Sequence, residues 1–341
     1  MRLDNVSGLD ASGQDVSVWQ RVSLPNLTMQ PVLIVAGPTA SGKSSLALAA
    51  AEEFGGTVIN ADSMQIYREL PVLTARPSPA DEARVPHRLY GVLDASERCS
   101  AGRWAAMCAD AIHEARAQRR LPIVVGGTGF YIKALMEGLS AIPAVPATAR
   151  ADAMALRGRL GPDAFHAELA AVDPAAAERL NVGDSQRVTR AYEVWLATGR
   201  SLSDWQNEPA VPPVPDADFF AIVLDPPRAE LNAACDARFD AMLANGALDE
   251  VLALAELHLD PGQPAMKALG VPELLRHIAG EMPLAAAVEA AKLATRQFAK
   301  RQASWFRHQI DCAERLDEQF SESLTTKIFP KIRNFILTAQ N

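Results

Sequence analysis

A chain of 341 residues, 49% hydrophobic and 22% charged, has the balance of a globular protein that buries one large core or two smaller ones. Its net charge of -8 excludes a protein that coats nucleic acid by bulk electrostatics, but not a basic cleft on an acidic body. No apolar run approaches the ~18 residues of a membrane helix, the first residues lack the apolar middle of a signal peptide, and Cys99, Cys108, Cys235 and Cys312 show no CxxC spacing, so a cytoplasmic protein with reduced thiols and no membrane partner is expected.

Residues 1–30 mix Asp, Ser, Gly, Asn and Gln without a period and read as a loose extension, with Met29 an alternative start. Val32–Ala36 is a strand, followed by Gly37-Pro38-Thr39-Ala40-Ser41-Gly42-Lys43-Ser44 and a helix from Lys43 to Phe54 that Gly55-Gly56 ends. Residues 57–60 form a second strand leading into Asp62-Ser63, residues 89–93 a third, residues 101–118 an amphipathic helix, and residues 121–125 a fourth strand opening into Gly126-Gly127-Thr128-Gly129. Residues 143–199 are rich in Ala and Arg and helical in period, and residues 209–215 hold four prolines and read as a linker. Residues 219–224 are a further strand; helices follow over 228–245, 247–256 and 284–307, and the stretch after Asp311 is mixed in charge.

Strands alternating with helices predict an α/β fold, a P-loop NTPase-like parallel sheet flanked by helices. The core is expected from residues 31–142 and 216–311, with an all-helical insertion over 143–208 and a tail over 312–341. Ligands of such sheets sit beyond the carboxyl ends of the strands. That gathers the phosphate loop, Asp62-Ser63 and the 126–129 glycines at one site.

In the strand–loop–helix context of residues 37–44, backbone N–H groups and a helix N-terminus converge on an anion, Lys43 reaches its terminal phosphate and the Ser44 hydroxyl suits Mg²⁺. Asp62 reads as a magnesium or base carboxylate, or equally as a turn former. With Ser63, Met64 and Gln65 it offers groups suited to a purine edge, an amide pairing bidentately with adenine. The bare glycines at 126–129 read as room for something large, or as tight strand–helix packing. No acid ends the fourth strand, which argues against a typical ATPase or GTPase. Residues 186–190 set Arg187 and Arg190 three apart on one helix face, and residues 296–307 interleave cations with Gln, Trp and Phe, a pattern single-stranded nucleic acid favours over a merely solvated face. Arg238 is a candidate phosphate contact.

These stretches, taken in order, resemble the tRNA dimethylallyltransferases, also called tRNA isopentenyltransferases. The matching motifs are Gly-Pro-Thr-Ala-Ser-Gly-Lys-Ser at 37–44, Asn-Ala-Asp-Ser-Met-Gln-Ile-Tyr at 60–67, Val-Pro-His at 85–87 and Gly-Gly-Thr-Gly-Phe-Tyr at 126–131. They continue with Asp184, Gln186-Arg187, Arg190, Glu193-Val194, Thr198-Gly199 and Lys-Arg-Gln-Ala-Ser-Trp-Phe-Arg at 300–307. The resemblance implies that the loop, with Lys43 and Mg²⁺, binds dimethylallyl diphosphate rather than ATP. It implies transfer of the prenyl group to N6 of the adenosine on the 3′ side of the anticodon, with Asp62 as base and Thr128 near the reacting centre. It further implies that Asp62, Ser63, Met64, Gln65, Thr128, Arg150, Gln186, Arg187, Val188, Thr189, Arg190, Lys300, Arg301, Gln302, Trp305 and Arg307 contact the tRNA anticodon stem-loop, on a monomer. The chain departs from the family pattern at Gly183, at Ser304, which keeps a hydroxyl, and at Val271-Pro272, which replaces a tyrosine and is expected to disturb a helix start. No Cys or His pair follows Arg307, so the resemblance is to the bacterial type. The competing readings are a nucleotide-kinase-like phosphotransferase, prenylation of free adenine nucleotide, and a nucleotide-hydrolysing RNA switch.

Overall fold

A computed structural model describes residues 29–310 and 314–339; of the loose extension read over residues 1–30, residues 1–28 lie outside the described residues, as does Cys312, while Gln30 already belongs to the first strand. Six strands form one sheet: β1 (Gln30–Ala36), β2 (Gly56–Asn60), β3 (His87–Arg88), β4 (Leu121–Gly126), β5 (Ala217–Leu224) and β6 (Glu314–Leu316), in the order β3-β2-β4-β1-β5-β6. Every pairing is parallel, with Ala36 of β1 opposite Gly126 of β4 and Val223 of β5. β1 reads as an unbroken apolar run because both of its faces are covered. Val32, Ile34 and Ala36 enter one core, and Leu33 and Val35 enter the other.

Helix α1 (Lys43–Phe54) covers the second face, where Leu46, Ala47, Ala50 and Ala51 are buried; Gly55, at φ 63°, ends it. α2 (Pro79–Arg84) follows β2. α3 (Ala101–Ala117) and α4 (Gly129–Glu137) cover the first face, with Trp104 and Ile112 fully buried. α5 (Ala147–Leu160), α6 (Pro162–Val172), α7 (Pro174–Arg179), α8 (Ser185–Thr198) and α9 (Leu202–Gln206) gather around a separate core of Phe165, Leu169, Val188, Ala191 and Val194. The chain leaves and re-enters the sheet side by side, where Leu139 bridges Val211, and a β-carbon on Gly138 would lie 2.5 Å from the Val211 backbone. After β5 come α10 (Arg228–Ala244), α11 (Ala247–Glu256), α12 (Val271–Ile278), the long α13 (Leu284–Gln309) and α14 (Glu322–Ala339).

Three expectations change. The third strand is only His87–Arg88; Leu89 and Gly91 adopt left-handed backbone, at φ 66° and 59°, which ends extended structure. Pro272 does not disturb α12, because it occupies the first turn, where a missing N–H breaks no helical bond. Residues 314–339 are no tail: β6 extends the sheet, and α14 buries Leu324, Ile328 and Ile332 against the second core. Their four-residue spacing makes one apolar stripe, and burying such side chains contributes about 1.5–3 kcal/mol each.

Candidate active site

The carboxyl ends of β1, β2, β4 and β5 bring the predicted loops together. Lys43 is buried at the start of α1 and donates to the Pro38 carbonyl at 3.2 Å. Burial lowers its pKa from 10.5 to about 8; Arg238 pushes it further down, while Asp62 and Cys235 pull it up. Burial also lowers the pKa of Arg238, opposed by Cys235 and Asp62. Among the described residues Arg238 has no hydrogen bond or ion pair, so this α10 guanidinium shares the Lys43–Asp62 field uncommitted. Ser41 Oγ is buried without a partner inside the loop, an unfilled acceptor-donor where an anion would sit. Gly37, Pro38 and Thr39 turn the chain, and Ala40 is held at φ 62°, a left-handed conformation costly for a residue with a side chain.

Asp62 hangs from a platform built by Asn60, which is fully buried. The Asn60 amide donates to the carbonyls of Asp62 and Leu89, both at 3.0 Å, and its Oδ1 accepts from the Asp62 N–H at 2.8 Å. Trp104 Nε1 donates to the Asn60 carbonyl at 2.9 Å and stacks on Tyr131. Asp62 Oδ1 accepts from the Met64 N–H at 2.8 Å, so the turn-former reading is correct for one oxygen. Oδ2 has no protein partner among the described residues and stays free for chemistry. The Thr128 hydroxyl accepts from the Ser63 N–H at 2.9 Å and donates to Ser63 Oγ, tying the β4 loop to the β2 loop. Gln65 Nε2 donates to the Thr74 and Ala75 carbonyls, at 2.8 and 3.1 Å. Its two hydrogens are spent there. The bidentate adenine pairing expected of Gln65 is therefore replaced by one free acceptor, Oε1.

The glycines of the β4 loop are filled by the protein itself. A β-carbon would strike the Ala61 carbonyl at Gly126, the Gln302 amide at Gly127 and the Trp305 ring at Gly129. Tight packing, not a passing ligand, is why this loop is bare. Gln302 is buried and uses both ends of its amide: Oε1 accepts from the Thr39 N–H and Nε2 donates to the Gly127 carbonyl, each at 2.8 Å. Buried between the two loops at 6% exposure, it presents no face to RNA. The sequence reading missed this role because helical period can turn Gln302 inward but cannot show that it meets the Thr39 N–H and the Gly127 carbonyl. We expect Gln302→Ala to loosen the phosphate loop and weaken inorganic diphosphate binding by up to about thirtyfold, since its two bonds contribute about 1 kcal/mol each; calorimetry with inorganic diphosphate checks it.

On α13, Lys300 and Arg301 are exposed and have no carboxylate partner among the described residues; Arg301 lies 5.8 Å from the Phe298 ring centroid. Arg307 instead forms a two-pronged pair with Asp225 at the end of β5, at 2.6 and 2.9 Å. In the helical insertion Arg150, Gln186, Arg187 and Arg190 are exposed, with Arg187 beside Asp184 and Arg190 bonded to Glu193 at 2.7 Å. Val188 and Thr189 point into that domain's core and present no side chain to a partner.

Comparison with known proteins supplies what geometry leaves open. A family model described as "IPP transferase" matches residues 65–309. The chain belongs to that family. The tRNA dimethylallyltransferase of Rhodospirillum centenum is 58% identical over 288 residues, covering 84% of this chain and 92% of that protein. The tRNA dimethylallyltransferase of Paramagnetospirillum magneticum is 54% identical over 312 residues, covering 92% and 99%. Among solved structures, a eukaryotic dimethylallyltransferase captured acting on tRNA superposes with a TM-score of 0.78 at 28% identity, covering 92% of this chain and 80% of that one. The full-length tRNA isopentenylpyrophosphate transferase of Bacillus halodurans gives 0.64 at 29% identity, covering 92% and 97%. In this family member, Asp62, Thr128, Lys43 and Arg238 converge, while Gln302, Val188 and Thr189 serve the scaffold.

Among the described residues no cluster of His, Cys, Asp or Glu could hold a metal by itself, and no helix is long and apolar enough to cross a membrane. Ser44 is exposed at the mouth of the loop, its hydroxyl without a partner among the described residues. A hydroxyl completed by diphosphate oxygens is a hard-oxygen set that fits Mg²⁺.

Proposed function

We propose that this chain transfers a dimethylallyl group from dimethylallyl diphosphate to N6 of the adenosine on the 3′ side of the anticodon of tRNA, releasing diphosphate. The observation that carries this is the free Asp62 Oδ2 in the same electrostatic field as Lys43 and Arg238, in a chain of the IPP transferase family. The loop N–H groups, Lys43 and Arg238 hold the diphosphate and stabilise the charge that grows on it as the allylic C–O bond breaks. The leaving diphosphate keeps the bonding pair. N6 forms the new C–N bond and its proton passes to Asp62 Oδ2. Gln65 Oε1 accepts the other N6 hydrogen and orients the amine. Ser44 would hold Mg²⁺, which adds charge neutralisation at the leaving oxygens. The base must leave its stack to reach this depth, and a closed site keeps water from the allylic carbon.

The free cations of α13 and the exposed Arg150, Gln186, Arg187 and Arg190 of the insertion support a grip on the anticodon stem-loop. The reaction is assigned to the cytoplasm, where tRNA is. The deciding experiment offers labelled dimethylallyl diphosphate or ATP with unmodified tRNA or with AMP. Label from the prenyl donor in tRNA alone is expected; label in AMP selects nucleotide prenylation, and label from ATP selects phosphoryl transfer. Arg301→Ala is expected to weaken tRNA binding and lower the slope of log affinity against log salt by about 1, without changing diphosphate affinity. Filter binding over a salt series checks it; an unchanged slope removes this helix from the RNA surface.

A further inference from the structure

The matched family span ends at residue 309, yet the chain beyond it returns to the phosphate loop. β6 pairs with β5, and the Asp225 N–H donates to the Leu316 carbonyl at 2.9 Å. Arg315 reaches back to the end of α13 and donates to the carbonyls of Phe306 and Ile310, at 2.8 and 2.7 Å, closing a helix terminus that lacks its own donors. α14 then anchors the segment on the second core, with Phe329 against Phe54 and Phe335 against Phe220. Between these two anchors lie Gln319 and Phe320.

Both touch the loop itself. The Phe320 N–H donates to the Ser41 carbonyl and Gln319 Nε2 to the Ala40 carbonyl, each at 3.4 Å. A β-carbon on Gly42 would lie 2.6 Å from Phe320 Cβ, so Phe320 is seated directly on the glycine before Lys43. Two of the three residues so held have left-handed backbone: Ala40 at φ 62° and Gly42 at φ 86°. A left-handed alanine persists only when its surroundings over-determine it. On the opposite side Gln302 fixes Thr39 and the Ala40 side chain packs on Leu231, Cys235 and Ala299.

We propose that Gln319 and Phe320 are positioning residues that hold the phosphate loop, from the side away from α13, in the conformation that binds diphosphate. This rests on the reading of the loop as the diphosphate site. With the Ala40 and Ser41 carbonyls tied on this side, and the Thr39 and Ser41 N–H groups bonded to Gln302 and Pro38, the loop leading into the N-terminus of α1 is held in one conformation, so an anion is met there without reorganisation.

The test uses the full chain with Gln319→Ala, Phe320→Ala and Phe320→Leu. Binding of inorganic diphosphate by calorimetry and the separate KM values for dimethylallyl diphosphate and tRNA are measured, with thermal midpoints. Phe320→Ala keeps the N–H and Cβ that meet the loop but removes the ring that packs on the second core and holds them there, and is expected to weaken diphosphate binding about fivefold; Gln319→Ala, which loses its bond to the Ala40 carbonyl, is expected to weaken it about threefold. The donor KM rises in step, the tRNA KM stays fixed, and Phe320→Leu, which keeps the apolar seat, recovers most of the loss. Should Phe320→Ala fail to fold, half-buried Gln319 carries the test alone. Unchanged diphosphate affinity in folded Gln319→Ala and Phe320→Ala proteins overturns the proposal, as does a loss that affects both substrates equally and follows the thermal midpoint. Failure of prenyl transfer in the unaltered chain, with diphosphate still bound, would count against the proposed reaction and leave the clasp measurable.

Discussion

Asp62→Asn is expected to lower kcat by about 10²- to 10⁴-fold, the range a positioned proton acceptor contributes, with tRNA affinity within a factor of about three. The asparagine is the sharper probe because Asp62 has two jobs on two oxygens. Oδ1 holds the Met64 N–H at 2.8 Å and shapes the turn that carries Ser63 and Gln65. An amide oxygen can keep that bond, while nothing in an amide takes the proton that the proposed reaction assigns to Oδ2. Asp62→Ala removes both functions, so it is expected to fall further and to disturb the turn. The gap between the two variants measures the turn; the gap between Asn and the parent measures the base. Single-turnover rates with saturating tRNA and donor separate these from binding. A near-parental rate for Asp62→Asn would remove Asp62 as the base and leave it a loop former.

What the sequence reveals of this site follows from how locally each feature is encoded. The phosphate loop is legible because a buried strand, a glycine-bounded turn and a helix start must all be adjacent in the chain, and residues 32–54 supply them in order. β5 is legible because a strand buried in a parallel sheet reads as an apolar run. β3 is misread for the opposite reason: residues 89–93 are mostly apolar, but Leu89 is left-handed and its carbonyl takes a tertiary bond from Asn60, which no local pattern announces. α14 shows its stripe at Leu324, Ile328 and Ile332, yet the charges between them hide it. The tRNA-facing residues are half legible. On α13 the buried positions 295, 299, 302, 303 and 306 follow helical spacing, so Gln302 belongs to the inner face and Lys300 and Arg301 to the outer one by period alone. That Gln302 bonds two different strand-end loops needs the fold. Asn60 is quoted in the motif but its work is invisible there, because its partners, Leu89 and Trp104, arrive from distant segments.

Lys43→Met is expected to reduce kcat by about 10²- to 10³-fold, as when one charge-stabilising donor is removed from a buried site, and the unaltered protein should show why through pH. Burial and then Arg238 hold the Lys43 pKa at about 8, below the usual 10.5. Below that pH the ammonium is charged and meets the diphosphate; as pH rises through it, the charge is lost. kcat/KM for the prenyl donor should therefore fall on the alkaline side with a midpoint near 8. A bound diphosphate favours the charged form, so the limb in kcat lies at higher pH than the limb in kcat/KM. Folding stability moves the other way: the unfolded chain binds the extra proton between about 8 and 10.5, so this lysine's contribution grows as pH climbs through that window. Two variants fix the assignment. Lys43→Arg stays charged and should abolish the limb, at a reduced rate because the longer fork does not fit the loop. Arg238→Gln removes the neighbouring cation and should move the limb to higher pH. A limb that survives unchanged in Lys43→Arg would assign it to another group, leaving Lys43 a charge that never titrates in the working range.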